Sequence, residues 1–496
     1  MIFGTFILKN KALLCIKLIS ELKKKTMRVE QLYTNCLAEA AYYIESNGEA
    51  AIIDPLREST PYIDLAKKSG AKIKYIFETH FHADFVSGHI DLARKTGADI
   101  VFGPTAKADF EIIEATDHQV FKVGNVTITV LHTPGHTMES MTLLLKDESG
   151  KDHAIFSGDT LFLGDVGRPD LAVKSDLTQT DLATHLFHSL RDKIMPLADE
   201  VIVYPGHGAG SACGKNLSSE TVDTLGNQKK TNYALRADMT VDEFVKEVTT
   251  GLKTPPQYFP NNVKLNKTGY ESVDVVLERG TLPLSASDVQ AYIDSKDVLI
   301  LDTRSTEDYS QAHIPNSWFI GLNGSFAPWV GALIKDINQK IVIIADLGKE
   351  KEVAIRLSRV GYDNTIGFLD GGIDTWIKAD YKTESIQNTN AQSLVSKMDT
   401  ISVLDVRKDT EYYSQHVKSN DIINLPLDNL QDTLDKIDPN KTYYTHCLGG
   451  YRSLIAISIL KSKGFHNFIN IEGGIRTLEE ENIPMTDYVC PSTMME

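Results

Sequence analysis

The chain has 496 residues, which at roughly 150 residues per domain suggests about three domains. Hydrophobic residues make up 42% and charged residues 24%, ordinary globular proportions that exclude a mainly disordered or fibrous chain. The formal charge is −16, from 51 basic and 67 acidic residues, which argues against nucleic acid or an anionic membrane as a partner. Any anionic ligand must therefore be bound by local groups.

Residues 1–26 alternate short apolar pieces with lysines and have neither the continuous apolar core nor the cleavage site of a signal peptide. We expect Met27 to be the true start, with residues 1–26 a non-native or accessory extension. No run of 18 apolar residues exists, so we expect no membrane span and a cytoplasmic protein. The cysteines are few, odd in number and widely spaced, which indicates a reducing compartment. They are Cys15, Cys36, Cys213, Cys447 and Cys490.

From Met27 onward, short apolar segments alternate with turns and helical stretches, a pattern that predicts an α/β domain. Strands are predicted at Ala41–Ile44, Ala50–Ile53, Ile73–Phe77, Asp99–Phe102, Val126–Leu131, Ala154–Ser157 and Glu200–Val203. Around 235–266 the pattern changes to a helical stretch followed by TPPQYFPNN, a Pro- and Asn-rich segment that we expect to interrupt regular structure and close the domain. The predicted first domain is 27–275.

Four polar clusters each follow a predicted strand, where α/β folds usually build their sites. They are Thr79–Phe85 (THFHADF), His132–Thr137 (HTPGHT), Ser157–Asp159 (SGD) and Tyr204–His207 (YPGH). Imidazole and carboxylate groups at neighbouring strand ends can converge on one point, and such a mixed donor set binds divalent transition metals. A single histidine is more often structural, but four clusters in this order indicate a metal site.

These clusters resemble the HxHxDH, GHT, GD and terminal GH motifs of the metallo-β-lactamase superfamily, over about residues 27–235. The resemblance implies an αββα sandwich with the metals at one edge. Phe85 departs from the family pattern, because it stands where the last histidine of HxHxDH is expected. Phenylalanine cannot bind a metal, so we expect the second metal site of the family to be empty.

Within the superfamily, the missing histidine and the GRPD segment Gly167–Asp170 are similar to the persulfide dioxygenases. That resemblance implies one iron(II) bound by His80, His136 and Asp159. Two imidazoles and one carboxylate on one face form the triad of non-haem iron oxygenases, which leaves positions for O2 and substrate.

The same resemblance implies supporting roles for residues near these ligands. Three of them, His82, Asp84 and His207, are expected to orient ligands or waters without binding the metal. Arg168 is expected to contact the anionic thiol carrier, with a structural salt bridge as the alternative. Cys213 follows His207 in a glycine-rich loop, where it is either an accessory thiol near the substrate or a small packing residue.

The remaining chain contains an internal repeat. Val298–Asn316 matches Ile401–Asn420, and Phe368–Trp376 matches Asn470–Leu478. Each copy reads as alternating strands and helices with a closing Gly-Gly turn, which predicts a small α/β domain with a mostly parallel sheet. The predicted domains are 276–385 (the first repeat) and 386–490 (the second repeat).

In the second repeat, Cys447–Arg452 (CLGGYR, the cysteine loop) lies between an apolar strand and a helical stretch at Leu454–Lys463. Inward-pointing N–H groups, including those of Gly449 and Gly450, the helix N-terminus and Arg452 would together stabilise a thiolate or persulfide on Cys447. The loop resembles that of the rhodanese (sulfurtransferase) domains, with Asp405-Val406-Arg407 and Glu472-Gly473-Gly474 as further marks.

Alignment of the repeats places Ala345 opposite Cys447 and Glu350 opposite Arg452, so the first repeat is predicted to be catalytically inactive. Its residues Asp302, Arg304 and His313 match rhodanese positions that are mostly structural.

Together the resemblances imply iron-dependent oxidation of a low-molecular-weight persulfide by O2 to thiol and sulfite, followed by rhodanese sulfur transfer giving thiosulfate. The expected cofactor is one Fe(II) per chain, and the expected partners are small molecules (persulfide, O2, sulfite) and other copies in a homo-oligomer. The main alternative is a zinc thioester hydrolase of the glyoxalase II kind with an appended sulfur-carrier module. A second alternative is a sulfur-carrier or redox-sensing protein in which the metal domain only binds.

Overall fold

The computed structural model describes residues 27–173, 177–215, 217–252 and 254–490. The predictions for residues 1–26, including Cys15, lie outside these residues. The chain divides into two compact units after Val273, and each unit is described by itself. Within the described residues, no helix is long and apolar enough to cross a membrane.

The first unit contains two six-stranded sheets. The first sheet has the order β1-β2-β3-β4-β5-β6, and the second has the order β12-β11-β10-β9-β8-β7. The strands of the first sheet are β1 Arg28–Thr34, β2 Glu39–Ser46, β3 Glu49–Ile53, β4 Lys72–Glu78, β5 Asp99–Phe102 and β6 Ile113–Glu114. Those of the second are β7 Val120–Val123, β8 Val126–His132, β9 Met141–Lys146, β10 Asp152–Gly158, β11 Ile202–Pro205 and β12 Asp223–Thr224.

The inner strands of both sheets, such as β3 and β9, are buried on both faces, which explains their continuous apolar runs. In β2, Tyr42 and Ile44 face the core between the sheets, together with Phe156 of β10. Their neighbour Tyr43 faces the opposite side, in a core covered by helices.

The helices of the first unit pack outside the two sheets, in cores that contain Leu92 on one side and Leu186 on the other. They are α1 Thr60–Ser69, α2 His89–Thr96, α3 Gln179–His188, α4 Leu225–Thr231, α5 Val241–Thr249 and α6 Phe259–Thr268, with a π-helical turn Ser189–Ile194 after α3 and a 3-10 turn Tyr233–Leu235. Helix α5 begins with a capping box in which Thr240 and Glu243 satisfy each other's backbone N–H groups. The resulting four layers confirm the predicted αββα sandwich.

Two details of the predicted elements are wrong. The strand predicted at Glu200–Val203 is observed at Ile202–Pro205. The segment TPPQYFPNN was expected to interrupt regular structure, but helix α6 begins inside it at Phe259, with a proline in its first turn. Proline is favoured there, since the first N–H groups of a helix have no intrahelical partner.

The second unit contains two five-stranded sheets, and every strand pair in both is parallel. The first sheet has the order β13-β17-β16-β14-β15 and the second the order β18-β22-β21-β19-β20. The strands are β13 Pro283–Leu284, β14 Val298–Asp302, β15 Trp318–Phe319, β16 Lys340–Ile344, β17 Thr365–Leu369, β18 Gln387–Thr389, β19 Ser402–Asp405, β20 Ile422–Asn424, β21 Tyr443–His446 and β22 Phe468–Ile471. Corresponding strands take the same places, so the predicted duplication is confirmed.

Nine helices of this region accompany the two parallel sheets among the described residues. They are α7 Val273–Gly280, α8 Ala286–Ser295, α9 Thr306–Gln311, α10 Phe326–Leu333, α11 Glu350–Arg359, α12 Gly372–Lys378, α13 Asp409–Ser414, α14 Tyr451–Ser462 and α15 Gly474–Glu480. Short 3-10 turns lie at Gln392–Leu394, Met398–Thr400, Leu427–Asp432 and Leu434–Lys436.

The register of the two parallel sheets relates the repeats residue by residue. Asp302 pairs with Ile344 in the first repeat, and Asp405 pairs with His446 in the second. Ala345 and Cys447, which follow Ile344 and His446, therefore occupy equivalent positions.

Candidate metal centre and cysteine site

The ends of β4, β8, β10 and β11 bring the four polar clusters of the first unit together. His80 Nε2 lies 3.8 Å from Asp159 Oδ2, and His136 Nε2 lies 3.5 Å from the same oxygen. One donor atom from each of these three residues falls within 4.8 Å of the others, and all three side chains are buried. The structure thus assembles the three predicted ligands at one point.

Hydrogen bonds outside the donor set decide which imidazole nitrogen faces Asp159. Asp54 Oδ2 accepts the Thr79 hydroxyl proton at 2.8 Å, so Thr79 Oγ1 accepts from His80 Nδ1 at 3.1 Å. His136 Nδ1 donates to the Arg168 carbonyl oxygen at 2.9 Å. Both Nε2 atoms therefore carry lone pairs directed at the site, as metal ligands require.

Burial and the neighbouring imidazoles of His82, His136 and His207 hold the pKa of His80 well below its ordinary value. The ring is therefore neutral at neutral pH and able to donate its lone pair. Asp159 is buried as well, and neither of its carboxylate oxygens has a hydrogen-bond partner among the described residues. A buried carboxylate without such partners is costly unless a cation compensates it.

Two glycines of the strand-end motifs leave room for these side chains. Gly158 has a φ of +47°, and a Cβ there would lie 2.4 Å from Thr79 Oγ1. A Cβ at Gly206 would lie 2.7 Å from Asp159 Oδ1. The glycines of the SGD and PGH motifs thus allow the two strand ends to approach the ligands closely.

A second group of donors, from His82, Asp84 and His207, also lies within 4.8 Å. His207 Nε2 is 3.5 Å from Asp84 Oδ2 and 3.5 Å from Asp159 Oδ1. Position 85 adds no donor to this group, because phenylalanine has no ligand atom. The Phe85 ring packs against the His82 ring with centroids 4.3 Å apart.

His82 directs one nitrogen toward two carboxylates behind the site. Its Nε2 lies 3.1 Å from Asp54 Oδ1 and 3.4 Å from Glu78 Oε2. Burial alone would lower the pKa of His82, but the two carboxylates outweigh it and raise the pKa well above its ordinary value. His82 is therefore engaged as a cation with Asp54 and Glu78 in this arrangement.

Helix α6 fixes the loop that carries the first motif. Asn266 Nδ2 donates to the carbonyl oxygens of His82 and Phe85, both at 2.8 Å, and Asn266 Oδ1 accepts from the Ser87 N–H at 2.9 Å. Sequence reasoning missed this residue, although a proline in the first turn of an Asn-rich stretch is a recognisable helix start.

Arg168 lies beside the candidate metal centre, since its carbonyl oxygen binds His136. The Arg168 guanidinium is buried and binds both carboxylate oxygens of Asp170, at 2.6 and 2.7 Å. This geometry is that of the salt bridge given as the alternative to substrate contact.

The Cys213 sulfur lies within 4.8 Å of donors from Asp159 and His207. Burial, reinforced by the Asp84 and Asp159 carboxylates, raises the pKa of this thiol well above its ordinary value.

In the second unit, the cysteine loop wraps around the Cys447 sulfur. Cys447 is buried, and the Gly450 N–H donates to its Sγ at 3.1 Å. Gly450 has a φ of +94°, and a Cβ at Gly474 would lie 2.4 Å from the Cys447 carbonyl oxygen. Helix α14 starts directly after Gly450, so its N-terminus is next to the sulfur.

Arg452 is held by a carboxylate that sequence reasoning missed. Its two terminal nitrogens donate to Glu411 at 2.6 and 2.8 Å. Burial alone would lower the pKa of Arg452, but Glu411 outweighs it and raises that pKa, so the guanidinium remains charged. An adjoining cavity of about 270 Å³ is lined by residues that include Arg407, Glu411, Leu448 and Tyr488.

Comparison with known families agrees with this division of the chain. The family model of the metallo-beta-lactamase superfamily matches residues 34–207, and that of the rhodanese-like domain matches residues 285–379 and 390–481. A crystal structure of a metallo-beta-lactamase from Staphylococcus aureus is 32% identical, with a TM-score of 0.61. The match covers 69% of this chain and 99% of the Staphylococcus aureus chain.

Two curated relatives carry different activities in their names. The chain is 30% identical over 203 residues to the mitochondrial persulfide dioxygenase ETHE1 of Homo sapiens, covering 40% of this chain and 70% of that protein. It is 29% identical over 188 residues to a probable hydroxyacylglutathione hydrolase of Schizosaccharomyces pombe, covering 36% of this chain and 69% of that protein. The chain belongs to the metallo-beta-lactamase superfamily, has persulfide dioxygenase homologues within it, and carries two rhodanese-like domains after its metallo-beta-lactamase domain.

Proposed function

We propose that the first unit oxidises a low-molecular-weight persulfide with O2 and that the second unit transfers sulfane sulfur through Cys447. The first reaction is RSSH + O2 + H2O → RSH + H2SO3. In the second, the Cys447 thiolate attacks the outer sulfur of a second RSSH, whose S–S bond breaks to release the thiol RSH and leave a Cys447 persulfide. Sulfite then attacks the outer sulfur of that persulfide, its S–S bond breaks, and thiosulfate and the Cys447 thiolate are formed. The observation that carries the proposal is the buried set of two imidazoles and one carboxylate, with Phe85 packed against the neighbouring His82.

The residues present fit one iron(II). His80, His136 and Asp159 offer a mixed nitrogen and oxygen donor set, and the Asp159 oxygens lack other partners among the described residues. When bound, ferrous iron supplies the one-electron chemistry through which O2 reacts with a sulfur nucleophile.

The chain's own residues orient this centre. Asp54 acts on His80 through Thr79, and the Arg168 carbonyl fixes the tautomer of His136. Cys213 lies close enough to Asp159 for a role as an accessory thiol next to the substrate. The Asp170 carboxylate engages Arg168, which supports the structural salt bridge over the alternative of substrate contact.

The environment of His82 favours one metal over two. A second ion would have Asp84 and His207 as ligands, but Phe85 supplies no donor and His82 directs Nε2 at Asp54 and Glu78. Metal-dependent hydrolysis commonly relies on a water activated by metal ions, often between two of them. This difference weighs against the glyoxalase II alternative, despite the hydroxyacylglutathione hydrolase relatives.

At the second unit, the loop geometry supports sulfur chemistry. The Gly450 N–H contacts the Cys447 sulfur, and the helix N-terminus and Arg452 add positive potential nearby. The first repeat has Ala345 at the equivalent position and therefore no nucleophile there. Two linked active domains raise the effective concentration of sulfite at the acceptor step.

Metal analysis after anaerobic purification tests the proposal. We expect about one iron per chain and negligible hydrolysis of a glutathione thioester. Two zinc ions per chain with rapid thioester hydrolysis would favour the hydrolase. The expected cytoplasmic location and homo-oligomeric state stay predictions.

A further inference from the structure

Tyr451 is a residue of the cysteine loop that contacts the catalytically inactive first repeat. It stands between Gly450, whose N–H contacts the Cys447 sulfur, and Arg452. Its hydroxyl donates to the Gly321 carbonyl oxygen at 2.7 Å. Its ring meets the Phe319 ring edge to face, with centroids 5.9 Å apart.

Two glycines of the first repeat form a slot for the Tyr451 ring. A Cβ at Gly324 would lie 2.3 Å from Tyr451 Cζ, and a Cβ at Gly321 would lie 3.2 Å from Tyr451 Cε2. Neither glycine has a φ in the left-handed region. The absence of a side chain at Gly324 is therefore required by the tyrosine ring and not by the local backbone.

Helix α14, which begins at Tyr451, is fixed to the first repeat at two further points. The Phe319 N–H donates to Ser458 Oγ at 2.9 Å, and Trp318 Nε1 donates to Ser462 Oγ at 2.9 Å. Both donors lie on β15, the edge strand of its sheet. Since Tyr451, Ser458 and Ser462 are spaced by seven and four residues, they lie on one face of the helix.

We propose that the first repeat positions the sulfur site of the second repeat through Tyr451. The slot fixes the first residue of α14, and this in turn fixes the adjoining Gly450 N–H on the Cys447 sulfur. Tyr451 acts through Gly450 and is a positioning residue, because it does not itself contact the sulfur in the hydrogen-bond pattern. The proposal rests on the proposed function only in assigning sulfur transfer to Cys447.

The pH dependence of Cys447 alkylation by iodoacetamide in the full chain, followed by peptide mass spectrometry, tests this role. Tyr451→Phe removes one hydrogen bond and keeps the ring, so we expect the midpoint of alkylation to move up by about half a pH unit. Gly324→Ala displaces the ring, and we expect a shift of about one pH unit, equivalent to a tenfold loss of thiolate stabilisation.

A double-mutant cycle separates positioning from general destabilisation. Once Tyr451→Ala has emptied the slot, adding Gly324→Ala should cause no further shift. Tyr362→Phe is the matched control, because it removes a buried hydroxyl bond of the first repeat, to the Ile334 carbonyl, away from α14. We expect it to lower the melting temperature without moving the alkylation midpoint.

Unchanged midpoints in Tyr451→Phe and Gly324→Ala, or an equal shift in Tyr362→Phe, would overturn the positioning role. If Gly324→Ala fails to fold, Tyr451→Phe decides the question. Alkylation requires neither iron, O2 nor sulfite. If the wild-type protein does not oxidise persulfide, the proposed function is contradicted, but the alkylation result on Tyr451 is unaffected.

Discussion

The surroundings of Asp159 give the strongest residue-level support for the candidate metal centre. Its buried carboxylate faces Nε2 atoms of three histidines at 3.5 to 3.8 Å, distances too long for hydrogen bonds. A buried charge in this state is stable only when a cation lies among the donors. The three-ligand assignment therefore makes a direct prediction about metal content.

We expect His80→Ala, His136→Ala and Asp159→Ala each to lose iron and O2 uptake, because two remaining protein ligands are too few to retain a labile divalent ion. Loss of a supporting group usually lowers metal affinity only about 10- to 100-fold, so His207→Ala should keep most of its iron. Elemental analysis of anaerobically purified variants measures this. A metal-free His207→Ala together with a fully loaded Asp159→Ala would show that the ligand set is wrong.

Cys447→Ser should leave O2 consumption nearly intact. A hydroxyl is far less acidic than a thiol and cannot carry sulfane sulfur, so thiosulfate should fall and sulfite should accumulate. Thiol derivatisation and chromatography quantify both products. Glu350→Gln is the matched control, because it alters the equivalent loop of the first repeat and should change neither product. If Cys447→Ser forms as much thiosulfate as the wild type, sulfur transfer does not require Cys447, and Cys213 is the next residue to test.

Among the candidate site residues, those that lie in recognisable motifs were predictable from the sequence. The residues that position them through contacts from elsewhere in the chain were not. The residues proposed to carry the chemistry follow strand ends in recognisable motifs: His80, His136, Asp159 and Cys447. Asp54, Asn266, Glu411 and Tyr451 act through contacts between positions up to 184 residues apart, which no local pattern encodes.

At the scale of elements, strands with long apolar runs were predictable because both of their faces are buried. Strand β5 was predicted with its observed bounds, and β4 within one residue of them at each end. Short or edge strands such as β1, with every residue half-buried, gave no such signal. Helix α6 was missed because asparagines are poor helix formers, although one of them, Asn266, contacts the loop that carries the first motif.

Helix α9 and the turn after it in the first repeat carry a pH-dependent contribution to stability. Burial lowers the pKa of His313 to about 4, partly offset by its bond to the Tyr309 carbonyl oxygen. Between this value and the ordinary 6.5, the unfolded chain binds a proton that the folded chain does not. Stability present at pH 7 is therefore lost as the pH falls from about 6.5 to about 4, by up to about 3 kcal/mol.

Intrinsic fluorescence measures this loss in the first repeat, because all three tryptophans of the chain, Trp318, Trp329 and Trp376, lie there. Urea unfolding midpoints should fall between pH 7 and pH 4.5 in the wild type. In His313→Asn, which keeps an amide donor but cannot titrate, the fall should be smaller. Equal pH dependence in the two proteins would assign the effect to other groups.

For the whole molecule, composition and motif order predicted three α/β domains, and the family comparisons agree with that architecture. Contacts between the repeats were not predictable, because Gly321, Gly324 and Ser458 carry no signal until both repeats are folded. One repeat thus carries the cysteine loop, and the other contacts helix α14 of that repeat through its β15 edge. In the proposed function, persulfide oxidation in the first unit and sulfur transfer in the second would combine two reactive species, a persulfide and sulfite, into the less reactive thiosulfate.

Oxygen consumption by the anaerobically purified, iron-loaded protein with glutathione persulfide tests the central claim most directly. We predict rapid O2 uptake, with one sulfite equivalent formed for each O2 consumed and recovered partly as thiosulfate, and we predict no uptake by Asp159→Ala. Absence of O2 uptake by the iron-loaded wild type, together with rapid hydrolysis of a glutathione thioester, would contradict it.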